Sequence, residues 1–195
     1  ISGGIDSALT AAICVDALGA ENVIGVAMPS KYNSKDSLDD AIKLSDNLGI
    51  TLKTIEIEKL VDDFRETLTN SLNEDLGQIT DENIQSRVRG NILMGLSNQT
   101  GAMVVSTGNK SEMAVGYSTL YGDLAGGFAL IKDLYKTKVY ELSNYINSIS
   151  DVIPKNIITK EPSAELRPNQ FDSDSLPDYE VLDKILNLYI EQDSS

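Results

Sequence analysis

The first residues of the chain have the composition of a phosphate-binding loop. Two consecutive glycines stand between hydroxyl residues and an aspartate, in the order Ser2-Gly3-Gly4-Ile5-Asp6-Ser7. Glycines let the backbone turn tightly and expose its N–H groups, and a helix start directly afterwards adds positive potential, so the segment suits an anion. The carboxylate of Asp6 suits Mg²⁺, which prefers oxygen ligands and is often shared with substrate phosphates. The loop therefore predicts a nucleotide phosphate site.

The spacing of this loop differs from that of a Walker loop. A Walker loop needs the pattern G-x-x-x-x-G-K-[ST], with a Lys that reaches the outer phosphates, and no such Lys follows these glycines. A glycine turn that merely begins a helix is the alternative interpretation. That alternative does not explain why the serines and the aspartate accompany the glycines.

Composition limits the remaining chemistry. The 195 residues include no His, which excludes Ser-His-Asp triads, Cys-His pairs and His-containing zinc sites. The lone Cys14 lies among Ala and Ile residues, where a buried small side chain is expected rather than a nucleophile. Catalysis would have to use carboxylates, Lys, Arg, hydroxyls, backbone N–H groups and a metal.

Charge and hydropathy restrict the partners. The net charge is −14, from 16 basic and 30 acidic residues, and this opposes nonspecific binding to nucleic acid. No apolar run of membrane-spanning length and no secretion signal is visible, so we expect a cytoplasmic protein that does not bind membranes. The length fits a single domain over residues 1–195.

Hydrophobic periodicity predicts alternating helices and strands. We expect helices over 7–18, 35–48, 60–72, 81–98 and 179–190, and buried strands over 23–28, 51–57 and 102–107. This alternation predicts the α/β class, with a parallel sheet that has helices on both faces and a ligand site at the carboxyl ends of its strands. The loop normally follows a central strand, which the sequence does not contain. The glycine-rich segment 116–127 is expected to be a mobile loop beside the site.

Five ordered blocks resemble a known family. The opening loop resembles the signature of the PP-loop ATP pyrophosphatases, and the full series resembles NAD synthetase. The five blocks are Ser2–Ser7, Glu82–Asn91, Ser106–Glu112, Gly116–Asp123 and Pro162–Leu166. Five blocks in one order are far more specific than a single motif.

The resemblance implies a fold and a reaction. The fold would be the Rossmann-like adenine nucleotide alpha hydrolase type. The reaction would convert deamido-NAD to NAD with ATP, Mg²⁺ and ammonia, through an adenylated nicotinate carboxylate and release of AMP and pyrophosphate. The resemblance also implies a homodimer and, in one branch, a glutaminase domain that supplies the ammonia.

The resemblance also implies the site residues. Asp6 and Lys136 would be catalytic, and Asp6 and Glu112 would hold Mg²⁺. Deamido-NAD would contact Asn83, Arg87 and Glu112. The ATP-binding set would be Ser2, Gly3, Gly4, Asp6, Ser7, Thr107, Lys136 and Ser163.

Several alternatives stay open at this stage. Taken alone, Glu112 would more often be a solvated helix residue, and Arg87 and Arg89 could simply pair with surface acids, each pair contributing little. The ammonia-using branch usually has a Lys at the position of Leu120 and an Asp at the position of Gly127. Because this chain has Leu120 and Gly127 at those positions, it resembles the glutamine-dependent branch more closely.

Two other functions compete with NAD synthesis. A PP-loop amidating ligase similar to GMP synthetase would share the loop and the adenylation chemistry, but not the blocks at 82–91 and 106–112. A non-catalytic ATP-binding module of the same fold would need neither Glu112 as a second metal ligand nor a dinucleotide pocket.

Overall fold

The architecture is α/β, with parallel strand pairs packed against helices, in a computed structural model that describes residues 1–193. The first pair joins β1 (Ile24–Ala27) to β2 (Thr51–Thr54), with Ile24 opposite Thr51. The second pair joins β3 (Val105–Ser106) to β4 (Phe128–Ala129), with Val105 opposite Phe128. The α/β parallel class predicted from the sequence is confirmed.

Helices make up most of the described chain. Their bounds, in chain order, are α1 (Ile5–Leu18), α2 (Lys35–Leu48), α3 (Glu58–Leu72), α4 (Gln78–Thr100), α5 (Lys110–Ala114), α6 (Lys136–Ile149), α7 (Lys155–Thr159) and α8 (Tyr179–Leu186). No helix formed by residues 1–193 combines the length and the apolar character needed to cross a membrane.

Local signals explain where several helices begin and end. The Ser34 side chain caps α2 by accepting a hydrogen bond from the Ser37 N–H at 3.1 Å. The same helix ends at Gly49, whose φ of 68° lies in the left-handed region. Asn109 caps α5 in the same way as Ser34 caps α2.

The main core lies where α1 packs against α2 and α6. The buried residues of α1 are mostly apolar, and they pack against both neighbours. A second, smaller core fills the space between α3 and α4. Side chains with no exposed surface include Leu9, Leu44, Ile131, Val139 and Ile153 in the first core and Ile57 and Val61 in the second.

The predicted elements and the observed ones differ in several places, and the strands are shorter than predicted: 51–57 is observed as Thr51–Thr54 and 102–107 as Val105–Ser106. The polar run after β3 contains the short helix α5, and α6 and α7 were not predicted. α4 is longer than expected, since it begins at Gln78 and ends at Thr100. The last helix ends at Leu186 and continues as a wider π-type turn over Asn187–Glu191.

The start of the chain lies beside β1. The main-chain amine of Ile1 donates to the Val26 carbonyl at 2.8 Å, and the Ile1 side chain covers Gly25. Within residues 1–193 the two strand pairs do not hydrogen-bond to each other. The central strand expected ahead of the glycine loop stays a prediction.

Candidate active site

The glycine loop is tightly folded onto the start of α2. Gly3 has a φ of +81°, and a Cβ atom at this position would lie 2.3 Å from the Ser37 carbonyl oxygen. Ser7 Oγ donates to the Gly4 carbonyl at 3.0 Å and accepts from the Ser2 N–H at 3.1 Å. Only glycine fits at position 3, because both its backbone angle and its surroundings exclude a side chain.

The same loop begins α1 with no side-chain cap. Gly4 is the N-cap residue and offers no oxygen to the first-turn N–H groups. The start of a helix carries partial positive charge, so an anion is favoured at this position. The loop has the donors and the dipole of the predicted phosphate site, while the contact of Ser2, Gly3, Gly4 and Ser7 with ATP stays a prediction.

Two carboxylates and one ammonium group meet beside the loop. Lys136 Nζ donates to Asp6 Oδ2 at 2.6 Å and to Glu112 Oε1 at 3.0 Å. The side chain of Lys136 is 3% exposed, whereas those of Asp6 and Glu112 are each 17% exposed. Three residues predicted for the site, from α1, α5 and α6, therefore form one buried ionic cluster.

The cluster has more negative than positive charge. Burial opposes the charged form of Lys136, yet the attraction and hydrogen bonds of Asp6 and Glu112 raise its pKa above the ordinary value. Burial and the neighbouring charge of Asp6 raise the pKa of Glu112 to about 7. Two carboxylates that share one ammonium group leave an uncompensated charge, which favours a proton or a metal cation at this point.

Asn109 connects the Asp6 carboxylate to the backbone of Glu112, and the sequence patterns do not single it out. Its Nδ2 atom donates to Asp6 Oδ1 at 2.8 Å, and its Oδ1 atom accepts from the Glu112 N–H at 3.0 Å. Asn109 is fully buried. The signal that could have identified it is an Asn directly before a short helix, three residues ahead of an acid.

The Tyr179 ring links Lys136 to a buried carboxylate, Asp172. The Lys136 ammonium group lies 5.2 Å from the centre of the Tyr179 ring, within cation–π range. Tyr179 and Tyr117 donate to the carboxylate of the buried Asp172 at 2.8 and 3.3 Å. Burial, together with Asp172, raises the pKa of Tyr117, and burial with nearby acids raises that of Tyr179. Both phenols therefore stay protonated and act as donors.

The donor set fits Mg²⁺. In residues 1–193 no group of three or more Cys, Asp or Glu side chains is arranged to hold a metal alone. Mg²⁺ does not require such a group, since it commonly uses one or two carboxylates and completes its shell with water and substrate phosphates. Asp6 and Glu112 supply that pair next to the phosphate loop.

The predicted deamido-NAD residues lie on α4 and contact the glycine-rich segment. Thr119 Oγ1 donates to Asn83 Oδ1 at 2.7 Å, and Arg87 Nε donates to the Leu120 carbonyl at 3.2 Å. Arg87 is exposed. Among the described residues no hydrogen bond joins Asn83 or Arg87 directly to the ionic cluster.

Hydrogen bonds join segment 116–127, the predicted mobile loop, to α4, and its mobility stays a prediction. Ser86 Oγ donates to Asp123 Oδ1 and accepts from the Asp123 N–H, both at 3.0 Å. Gly90 allows close approach, because a Cβ at that position would lie 2.6 Å from the Tyr121 carbonyl. Polar contacts with α4 replace the apolar core that the segment lacks.

The structure decides against surface pairing for Arg89. Its Nε atom donates to the Met28 carbonyl at 3.0 Å and its Nη2 atom to Asn33 Oδ1 at 3.2 Å. Burial lowers the pKa of Arg89 to about 10. Arg89 therefore fixes the loop that follows β1 instead of pairing with a surface acid.

Ser163 and Thr107 occupy the surrounding segments. Ser163 Oγ donates to the Gln170 carbonyl at 2.6 Å. The next acid along the chain, Glu165, accepts from Ser37 Oγ at 2.7 Å, which places this segment against the residue that contacts Gly3. Thr107 is half-buried and follows β3 directly. The contact of Ser163 and Thr107 with ATP stays a prediction.

Comparisons with known proteins agree with this geometry. The profile of the family described as NAD synthase matches residues 1–195. A glutamine-dependent NAD(+) synthetase of Acinetobacter baylyi is 54% identical, over 100% of this chain and 36% of its own length. The structure of a glutamine-dependent NAD+ synthetase from Acinetobacter baumannii in complex with ADP has a TM-score of 0.80 and 50% identity, over 98% of this chain and 34% of that one. An NMN synthetase from Francisella tularensis has a TM-score of 0.85 and 32% identity, over 95% of this chain and 74% of that one.

These similarities define an α/β protein whose fold is shared with solved NAD+ and NMN synthetases. The chain belongs to the NAD synthase family. The family predicted from the five sequence blocks is thereby confirmed. The chain spans about a third of the length of the curated relatives it matches, 36% and 34% for the relatives from Acinetobacter baylyi and Thermotoga maritima.

Proposed function

We propose that residues 1–195 form one domain that adenylates the nicotinate carboxylate of deamido-NAD with ATP and then transfers it to ammonia. The observation that carries this proposal is the buried cluster of Asp6, Glu112 and Lys136 directly beside the glycine loop. A buried excess of negative charge next to a phosphate-binding loop suits a metal–triphosphate complex. Membership of the NAD synthase family supports the choice of substrate.

In the first step a nicotinate carboxylate oxygen attacks the α-phosphorus of ATP. The new P–O bond forms as the bond between the α-phosphorus and the α,β-bridging oxygen breaks. Pyrophosphate leaves with the electron pair of the broken bond. The glycine loop would hold the phosphates, and the Lys136 ammonium would offset charge on the departing group. Bound Mg²⁺ would neutralise phosphate charge, held by Asp6 and Glu112. No protein nucleophile is needed, which suits a chain without His.

In the second step ammonia attacks the acyl carbon of the adenylate. The C–N bond forms, AMP leaves with the electron pair of the C–O bond, and the nitrogen loses a proton to yield the amide. The protein's contribution is to position the two reactants and to exclude water. Asn83 and Arg87, on the face of α4 that contacts residues 119–120, would bind the dinucleotide.

The source of nitrogen is part of the proposal. We propose ammonia as the species that reaches this domain, free or released from glutamine by a domain that is not in this sequence. The names of the curated relatives, glutamine-dependent NAD(+) synthetases, support the second source. Residues Leu120 and Gly127, which stand where the ammonia-using branch has charged side chains, agree with it.

A mononucleotide substrate is the second candidate. The solved NMN synthetase has the same fold as this chain at 32% identity, and this chain covers 74% of it. The adenylation step would be identical for nicotinate mononucleotide, because the carboxylate is the same. Rates measured with both substrates at equal concentration would separate the candidates, and a preference for the mononucleotide would replace the proposed substrate.

We also propose a cytoplasmic homodimer that pairs through α4. Support for the pairing comes from the exposed side chains of Met94 and Leu120, which line a shallow groove with Gly90. Sedimentation velocity of the wild-type protein and of a Met94→Glu variant tests it. A monomeric wild type at micromolar concentration would reject the dimer.

The test of the proposed function is product analysis. Incubation with deamido-NAD, ATP, Mg²⁺ and ammonium should give NAD, AMP and pyrophosphate in equal amounts, measured by mass spectrometry. Asp6→Asn should lower pyrophosphate release by about 10² or more, because it removes charge where phosphoryl charge is stabilised. ADP and orthophosphate as products would show a different ligase chemistry. Absence of ATP–pyrophosphate exchange with deamido-NAD would favour a non-catalytic nucleotide-binding module.

A further inference from the structure

Asp183 of α8 lies behind the ionic cluster and contacts two of the elements that carry it. Its Oδ2 atom accepts from the Thr137 N–H at 2.8 Å, and its Oδ1 atom accepts from the hydroxyl of Ser111. Asp183 is 5% exposed and Ser111 has no exposed surface. Among the described residues no hydrogen bond joins this carboxylate to the side chains of Asp6, Glu112 or Lys136.

Ser111 continues the connection to Lys136. The Lys136 N–H donates to Ser111 Oγ at 2.8 Å, while the Ser111 hydroxyl donates to Asp183. Asp183 thus receives hydrogen bonds from the first turn of α6 both directly and through Ser111. In the chain Ser111 directly precedes Glu112, so the same contacts fix the backbone of both partners of the ion pair.

These contacts replace a conventional helix cap. The N-cap residue of α6, Tyr135, offers no side-chain acceptor to the first-turn N–H groups. Those groups must be satisfied when buried, and a carboxylate is the acceptor most favoured at a helix start. α8 provides that acceptor from 46 residues away in the chain.

We infer that Asp183 is a positioning residue that sets the placement of Lys136 and Glu112 relative to Asp6. It acts through the backbone N–H of Thr137 and through Ser111, whose hydroxyl oxygen accepts from the Lys136 N–H. The inference rests on the proposed function for its kinetic consequence, although the placement of Lys136 is measurable without any turnover. It gives α8, which lies outside the sequence motifs, a defined part in the site.

The kinetic test compares Asp183→Ala and Asp183→Asn with Asp40→Asn in the otherwise intact chain. Asp40 is a matched control, since it is also buried and accepts from Asn156 at 2.7 Å, away from α6. We expect Asp183→Ala to lower kcat for pyrophosphate formation by about 10²-fold, with a much smaller change in KM for ATP, because misplacement of a charged group costs chemistry more than binding. Asp183→Asn keeps one acceptor oxygen, so its kcat should lie between those of the wild type and Asp183→Ala. Asp40→Asn should keep the wild-type kcat.

A double-variant comparison distinguishes positioning from general stability. If Ser111 and Asp183 act on Lys136 as one unit, Ser111→Ala combined with Asp183→Ala should be no slower than Asp183→Ala alone. Independent effects that multiply would overturn the inference. Unchanged kcat in both Asp183 variants, with only a lower unfolding temperature, would overturn it as well.

The direct readout is the NMR signal of the Lys136 ammonium group in ¹⁵N-labelled protein, assigned with Lys136→Arg. Asp183→Asn should shift or broaden this signal and Asp40→Asn should leave it in place. An unmoved signal in Asp183→Asn would contradict the inference even in a protein with full activity. If the wild type forms no pyrophosphate from deamido-NAD and ATP, the proposed function fails, whereas a moved signal would still support the positioning role.

Discussion

Lys136 Nζ lies 2.6 Å from a carboxylate oxygen of Asp6, although 130 residues separate the two in the chain. The contact joins the first turn of α6 to the first turn of α1, beside the glycine loop. Because the ammonium group is almost completely buried, it depends on its partners for compensation of the desolvation penalty. The stability of the domain and the charge of the site are therefore coupled through one side chain.

Replacement of Lys136 by Met should affect both properties. The change leaves Asp6 and Glu112 buried without a cation, so the free energy of unfolding should fall by about 3 kcal/mol in the absence of Mg²⁺. Pyrophosphate formation should fall by about 10²-fold or more, because charge on the leaving group loses its counterion. Urea unfolding in EDTA and a steady-state pyrophosphate assay measure the two effects.

Lys138→Met is the matched control for that variant. Lys138 is two residues away, is 57% exposed and pairs with Glu141 across one helical turn. An exposed pair of this kind contributes less than about 1 kcal/mol, so both stability and rate should stay near those of the wild type. Equal losses in the two variants would show that the site does not depend on the buried lysine.

Gly3→Ala should remove nucleotide binding. Gly3 has a left-handed backbone conformation, and a Cβ atom at this position would lie 2.3 Å from the Ser37 carbonyl oxygen. The site therefore has no room for a methyl group. We expect a loss of more than about 1 kcal/mol in stability and a loss of ATP affinity measurable by calorimetry. Gly95→Ala, in α4 with open space around it, should instead gain up to about 1 kcal/mol because Ala favours the helix. Wild-type ATP affinity in Gly3→Ala would contradict the role of the loop.

The parts of the candidate site whose determinants are local can be predicted from the sequence. The glycine loop, the carboxylate of Asp6 and the alternation of strands and helices all follow from short-range patterns. Glu112 and Lys136 were assigned through resemblance, and the structure shows why composition alone could not find them. Their role depends on a meeting of three helices that are distant in sequence.

The elements that were missed share a physical cause. α6 has no capping side chain of its own, since Ser111 and Asp183 satisfy its first N–H groups from other helices. No local signal at Tyr135 marks this start. Similarly, the glycine-rich composition of segment 116–127 predicts mobility. Its hydrogen bonds to Ser86 and Asn83 form only because the tertiary structure brings α4 next to the segment.

Arg87 and Arg89 should have separable roles, although they are two residues apart. Arg87 is exposed and donates to the Leu120 carbonyl, so Arg87→Ala should raise KM for deamido-NAD several-fold with little change in stability. Arg89 is half-buried and donates to the Met28 carbonyl and to Asn33, so Arg89→Ala should lower stability by about 1–3 kcal/mol through loss of those hydrogen bonds. Thermal unfolding and substrate titration of both variants test the contrast. A lower unfolding temperature of Arg87→Ala together with an unchanged KM for deamido-NAD would reject the assignment of Arg87 to the dinucleotide.

The raised pKa of Glu112 predicts how stability changes with pH in the metal-free protein. Its pKa rises to about 7 in the folded state, from about 4.5 in the unfolded chain, so the folded state binds the proton more tightly. The stability contributed by this proton is fully present below about pH 4.5 and is lost as the pH rises through about 7. Glu112→Gln, which keeps the neutral shape, should therefore match the wild type in unfolding temperature near pH 4.5 and exceed it at pH 8 in EDTA. Mg²⁺ should reverse the order at pH 8, because only the ionised wild-type carboxylate gains a metal partner there. A difference between the two proteins that is constant with pH would show that Glu112 does not titrate in this range.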